Sequence, residues 1–144
     1  MAIHKQVPIV VAVIKDTEGN ILIAKRNDPN LIEAHGKWEL VGGKVEFGED
    51  PEDAIIREVR EETGLEVKVL KLLPKLHTRI WNKAGEQHQV FLCAYECEII
   101  GGDLHDEEFD PGISALQFIK PEQLDNLEFI GPKEIDIIKL TLNF

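Results

Sequence analysis

From Val7 to Lys15 the chain is almost continuously apolar, and the polar stretch Asp16 to Asn20 separates this run from a second one, Ile21 to Lys25. The pattern predicts two strands joined by a tight turn. Asn27 to Lys37 is polar and broken by proline and glycine, which predicts a loop; Trp38 to Val41 predicts a short strand running into Gly42-Gly43. Val67 to Ile80 and Gln87 to Ile100 are rich in strand formers, Gly101-Gly102 marks a turn, and Ile113 to Ile119 predicts a further strand.

Two segments read as helices. Pro51 to Thr63 has Asp50 as N-cap, proline where the first helical residue tolerates it, Asp53 at the reciprocal capping position and Gly64 as a stop. Ile55, Ile56 and Val59 fall on one side of it and predict the face turned to the core. Pro121 to Leu124 predicts a short helical turn, and Pro132 to Leu142 a closing amphipathic helix. Strands therefore dominate, and the fold class expected is α/β or α+β, a mixed sheet with a helix on each face. No repeat or linker interrupts residues 1–144, so one domain is expected.

Composition narrows the class without changing it. With 43% hydrophobic and 30% charged residues the chain resembles an ordinary soluble globular protein. Pro8 to Ile14 is too short to span a bilayer and no signal-peptide pattern precedes it, so no membrane association and a cytoplasmic location are expected. Cys93 and Cys97, four apart in one strand, cannot bridge easily and read as buried free thiols. The net charge of −11 argues against binding a nucleic-acid polymer. A small polyanion remains compatible with an acidic protein when divalent cations stand between them.

Where the acids sit then matters more than their number. Glu58, Glu61 and Glu62 are spaced i, i+3 and i+4, crowding one side of the predicted helix in its last turn. Like charges at this spacing cost roughly 0.2–0.5 kcal/mol per pair, and the helix dipole there favours cations. Three glutamates alone could be a solvated face. Here the opposite face is apolar and pinned to a core, Arg57 is embedded among the acids, and a glycine-bearing loop precedes the helix. A divalent metal taking carboxylate oxygens resolves the conflict.

Read as one string, Gly43 to Leu65 is GKVEFGEDPEDAIIREVREETGL. It resembles the signature of the Nudix hydrolases, G-x5-E-x7-R-E-U-x-E-E-x-G-U with U a bulky aliphatic residue, and agrees at every specified position: Gly43, Glu49, Arg57, Glu58, Val59, Glu61, Glu62, Gly64 and Leu65. One departure lies just outside it, since many relatives have proline before the two glycines where this chain has Val41. A locally different approach to the loop is expected from that, with the chemistry retained.

The resemblance implies an α/β/α sandwich and hydrolysis of a nucleoside diphosphate linked to another moiety. It implies that Glu58, Glu61, Glu62 and the Gly43 carbonyl ligate Mg²⁺, with Mn²⁺ an alternative, and that Arg57 pairs with Glu49 to hold helix against loop. Glu61 is the first choice for the base that activates water, with Glu107 or Glu108 in a later loop as the alternative. Arg26 is expected to contact substrate phosphates, and Val7, Ile9 and Leu40 to line a base pocket; Lys44, His77 and Arg79 are weaker phosphate candidates. Trp38 reads as packing.

Substrate markers are sparse. The proline that ADP-ribose pyrophosphatases carry shortly after the signature is replaced by Ile80 or Trp81, and the tyrosine of dinucleoside polyphosphate hydrolases by Asn82 or Lys83. By elimination the chain looks most similar to the MutT branch, which releases pyrophosphate from a nucleoside triphosphate, normal or oxidised. Hydrolysis of ADP-ribose or a nucleotide sugar is the first alternative, and a non-catalytic nucleotide-binding module the second. The small-molecule partner is thus a nucleotide, and the chain a monomer or homodimer.

Overall fold

A computed structural model describes residues 3–105 and 110–142. It contains eight strands: β1 (Ile3–Lys15), β2 (Ile21–Arg26), β3 (Trp38–Glu39), β4 (Val41–Lys44), β5 (Leu65–Leu72), β6 (His77–Lys83), β7 (Glu86–Gly102) and β8 (Ile113–Ile119). Two α-helices, α1 (Pro51–Thr63) and α2 (Pro132–Lys139), and a short 3₁₀ helix (Pro121–Asn126) complete it. No helix among the described residues is long and apolar enough to cross a membrane.

The sheet is mixed. β1 runs parallel to β7 from Ile3↔Glu86 to Lys15↔Glu98, and antiparallel to β4 on its other side. β2 continues the sheet to β3 and β8. The β1–β2 turn is fixed by Asp16, whose Oδ1 accepts the amides of Glu18 and Asn20 at 2.9 and 2.8 Å. The unbroken apolar run of β1 is explained by burial on both faces. Val10, Ala12 and Ile14 join the cluster that includes Ala54, Ile55 and Val59 of α1, while Val11 and Val13 join the cluster that includes Ile137 and Ile138 of α2. The α/β sandwich with one helix on each face is thereby established.

Several boundaries differ from the sequence expectation. The strand expected at Trp38 to Val41 is two, β3 paired with β2 and β4 paired with β1, and β4 takes in Gly42 and Gly43. β1 begins at Ile3, because its polar first residues still pair with β7. The expected strand Val67 to Ile80 is two, β5 and β6, laid end to end along β7; Pro74, which has no N–H for a ladder, falls in the break after Leu73 bonds Ala94. Gly101 and Gly102 are not a turn but the end of β7, paired with Glu66 and Leu65. Finally, α2 stops at Lys139 and the chain continues as a turn.

Candidate active site

The site is built where β4 enters the loop before α1. Val11↔Gly42 and Val10↔Gly43 pair across β1 and β4. A β-carbon on Gly42 would stand 2.0 Å from the Val10 carbonyl oxygen, and one on Gly43 would stand 2.4 Å from the Glu58 carboxylate. Only glycine lets the strand lie this close to its neighbours. The ends of α1 are as expected at Asp50 and Gly64, whereas the reciprocal cap expected of Asp53 is not formed among the described residues. The Asp50 carboxylate accepts the Glu52 amide at 2.9 Å, and Gly64, at φ +82°, donates its amide to the Arg60 carbonyl.

Because Ala54, Ile55 and Val59 are fully buried, the orientation of α1 about its own axis is fixed and its acids are aimed. Burial of Ile55 and Val59 stabilises this docking by roughly 1.5–3 kcal/mol each. Glu58 and Glu62 project toward the strands, and the Glu62 Oε1 accepts the Gly42 amide at 3.1 Å. Glu61 lies outside them, 56% exposed.

Arg57 ties the loop to the helix. Its Nε and Nη2 donate to both oxygens of Glu49 at 2.7 and 2.9 Å, and Nη2 also donates to the Lys44 carbonyl at 3.2 Å. Its Nη1 donates to Glu58 at 2.9 Å and to Glu61 at 3.2 Å. The Arg57 hydrogen bond holds the Glu49 carboxyl down to about 2, and the same bond raises the guanidinium further. Arg57 is thus committed to five oxygens of its own chain.

Beyond the helix the acids are crowded. Burial pushes the Glu62 carboxyl well above its usual range, and the charges of Glu39, Glu58 and Asp110 push it further against the Gly42 amide. Burial also raises Glu58, opposed by Arg57. Burial raises Glu39 as well, although Arg26 donates to it from Nε at 2.5 Å and from Nη2 at 2.9 Å. Arg26, expected at substrate phosphates, therefore has its fork on Glu39, with Nη1 3.7 Å from Asp28.

Among the described residues no three His, Cys, Asp or Glu side chains already converge on a cation-sized point, and Glu61 is turned to Arg57. The donor set nevertheless fits a hard divalent cation. It is all oxygen, carries excess negative charge in a desolvated cleft, and has Gly43 leaving backbone open beside Glu58.

A cavity of about 290 Å³ adjoins this acidic cleft, and the two share Arg26, Glu39 and Gly42 in their walls. Val7, Ile9 and Leu40 line the cavity, together with Val90 and Leu92. At its polar end Arg79 pairs with the buried Glu134 of α2, whose other oxygen accepts the Leu40 amide at 3.3 Å. The Arg79 guanidinium also lies 5.2 Å from the Trp81 ring centroid. Trp38 packs against the core with Lys25 over its ring, outside the cavity lining. Lys44 is exposed at the end of β4, and His77 is buried beside α2. Glu107 and Glu108 lie outside the described residues.

Glu39, Asp110 and Glu134 were not expected from the sequence. Asp110 belongs to the same acidic run as Glu107 and Glu108. For Glu134 a signal exists: it stands three and four residues before Ile137 and Ile138, a carboxylate on the apolar stripe of a helix. Glu39 carries none, because its role depends on the pairing of β3 with β2.

Comparison with known proteins adds relatives to this geometry. The NUDIX domain family model matches residues 5–140. The chain is 42% identical over 69 residues to an 8-oxo-dGTP diphosphatase of Proteus vulgaris, covering 48% of this chain and 60% of that protein. It is 47% identical over 60 residues to a CTP pyrophosphohydrolase of Escherichia coli, covering 42% of this chain and 43% of that protein. These matches thus span about half the length of the relatives concerned. Among solved structures, the E. coli ORF135 protein is similar with a TM-score of 0.70 and 29% identity, over 95% of this chain and 89% of that one.

Proposed function

The chain belongs to the Nudix family as a MutT-like member, and from that premise we propose that residues 1–144 form one catalytic domain that hydrolyses a nucleoside triphosphate to nucleoside monophosphate and pyrophosphate. The observation that carries this reading is the continuity of an apolar cavity with an acidic cleft across Arg26, Glu39 and Gly42. A base in the cavity places its phosphates at the cleft. The names of the two relatives, acting on 8-oxo-dGTP and CTP, support the same class.

Glu58, Glu61, Glu62 and the Gly43 carbonyl are the groups that would hold Mg²⁺ or Mn²⁺ here. When bound, the metal neutralises phosphate oxygens and acidifies water. Glu61, the most exposed of the three, takes the proton of the attacking water as its oxygen bonds to phosphorus and the anhydride P–O bond breaks. Glu49 and Arg57 keep Glu58 against Gly43 throughout. Arg57→Lys loses the fork that reaches Glu49 and Glu58 together. We expect kcat to fall about 10–100-fold with KM little changed, as for other residues that orient a ligand set; steady-state kinetics at saturating Mg²⁺ checks this.

The base edge meets Glu134 and Arg79. A carboxylate accepts from an amino group and a guanidinium donates to a ring nitrogen or carbonyl, so a cytosine edge, with donor beside acceptors, is complementary to the pair. Glu134→Gln keeps an acceptor for the Leu40 amide but loses the charge. KM for the preferred triphosphate is expected to rise about 10–100-fold, corresponding to a charged hydrogen bond of roughly 1.5–3 kcal/mol. The direct test is a Mg²⁺ assay on normal and oxidised triphosphates, ADP-ribose and a nucleotide sugar, with products resolved by chromatography. Pyrophosphate and a monophosphate are expected, with cytidine nucleotides foremost; two monophosphates from ADP-ribose as the best substrate would overturn the reading.

A further inference from the structure

His77 is the first residue of β6 and 4% exposed, yet neither ring nitrogen has a hydrogen-bond partner among the described residues. A buried polar group left unpaired costs about 1–3 kcal/mol, so such a residue calls for an account. Paired with Leu92 of β7, it shares a sheet face with Arg79, and the charges of Lys75 in the preceding connection and of Lys133, Glu134 and Asp136 on α2 act on it.

We propose that His77 is a proton-sensitive latch under α2: neutral, it lets the helix seat Glu134 at the cavity; protonated, it unseats the helix and withdraws Glu134. The consequence for substrate rests on the base-reading role given to Glu134 above; the latch itself does not. The neutral ring can sit against the apolar residues beneath α2, where Ile137 and Ile138 are fully buried. An imidazolium there has two donors with no acceptor among the described residues, and Lys75 and Lys133 oppose it while Asp136 and Glu134 attract it. Glu134 is already engaged by Arg79 and the Leu40 amide, so turning it to His77 would undo both contacts. The cheaper response is hydration of the ring by lifting α2, an eight-residue helix whose N-cap, Gly131, has no side chain to cap it.

Burial is the main cause that lowers the His77 imidazole below its ordinary value of 6.5, followed by Lys75 and Lys133. A depressed folded value means the contribution to stability is complete above 6.5 and is lost as pH falls through the lower, folded value. The latch thus opens on the acid side.

Hydrogen exchange of the α2 amides, corrected for intrinsic pH dependence, tests it in the intact chain at pH 7.5 and 5.5, alongside His77→Phe and His77→Gln. Wild-type α2 is expected to exchange about tenfold faster, relative to β1, at the lower pH, and the variants to lose that acceleration. No acceleration, or acceleration that persists in both variants, overturns the latch. An NMR titration of wild-type His77 keeps the question open to refutation if the variants fail to fold: titration at or above 6.5 also overturns it. In parallel, KM for the preferred triphosphate is read at both pH values. His77-dependent opening without a change in KM supports the latch and removes Glu134 from base recognition.

Discussion

Glu62→Gln is expected to lower kcat by about 10²–10³-fold, a loss of the size seen when one electrostatic stabiliser is removed from an active site, while the melting temperature stays unchanged or rises. The two halves of this outcome have one cause. Glu62 is buried among Glu39, Glu58 and Asp110, and the Gly42 amide offsets them only in part, an arrangement that disfavours its charge. Glutamine keeps the acceptor for Gly42 and removes the charge, so the fold loses nothing and like-charge repulsion is relieved. A charge retained at a cost to folding is intelligible if a cation is bound there during turnover. Glu61→Gln should lower turnover similarly with even less effect on stability, because Glu61 is exposed and its ion pair is with Arg57. Near-normal turnover in both variants would remove these residues from the ligand set.

Gly42→Ala is expected to be the most disruptive single change to the fold near the site. The new β-carbon would lie 2.0 Å from the Val10 carbonyl oxygen and 2.8 Å from the Val11 α-carbon. Both are backbone atoms of a strand held on its far side by β7, so neither can move aside cheaply. A cost of about 3 kcal/mol or more follows, equivalent to a fall in melting temperature of about 10 °C for a chain of this size. Gly43→Ala makes the contrast. The atoms nearest its β-carbon are those of the Glu58 carboxyl end, which can swing away. Its melting temperature should change little while activity falls, since Glu58 no longer rests against the loop. Thermal unfolding of the two variants side by side checks the distinction, and equal stability losses would contradict it.

The contrast between Gly42 and Gly43 also marks how far the sequence could be read. The signature from Gly43 to Leu65 is local: caps, apolar face and acid spacing all lie within one loop and one helix, so residue order alone made each of them legible. Strand identity was legible wherever apolar runs were continuous. What escaped reading depends on contacts between distant segments. Arg26 looks free at the end of a strand, yet β3 places Glu39 beside it across the β2–β3 pair. Glu134 sits more than ninety positions from Leu40, whose amide it accepts. Pro74 is the local exception: it marks the break between β5 and β6, and a run of strand formers on both sides masks it when the sequence is read as one strand.

The parallel ladder between β1 and β7 has a consequence for how the molecule is made. Its partners, such as Gln6 and Gln89, are 83 positions apart, and the whole acidic helix with its glycine loop lies inside the span they close. Long-range strand pairing of this kind carries the loop-closure entropy before any contact rewards it, and slows folding accordingly. On a ribosome, β1 emerges before β7, apolar on both faces over its buried stretch, and waits for β7 before it gains that neighbour. Synthesis rate and chaperone supply thus bear on this chain chiefly in the interval between those two strands.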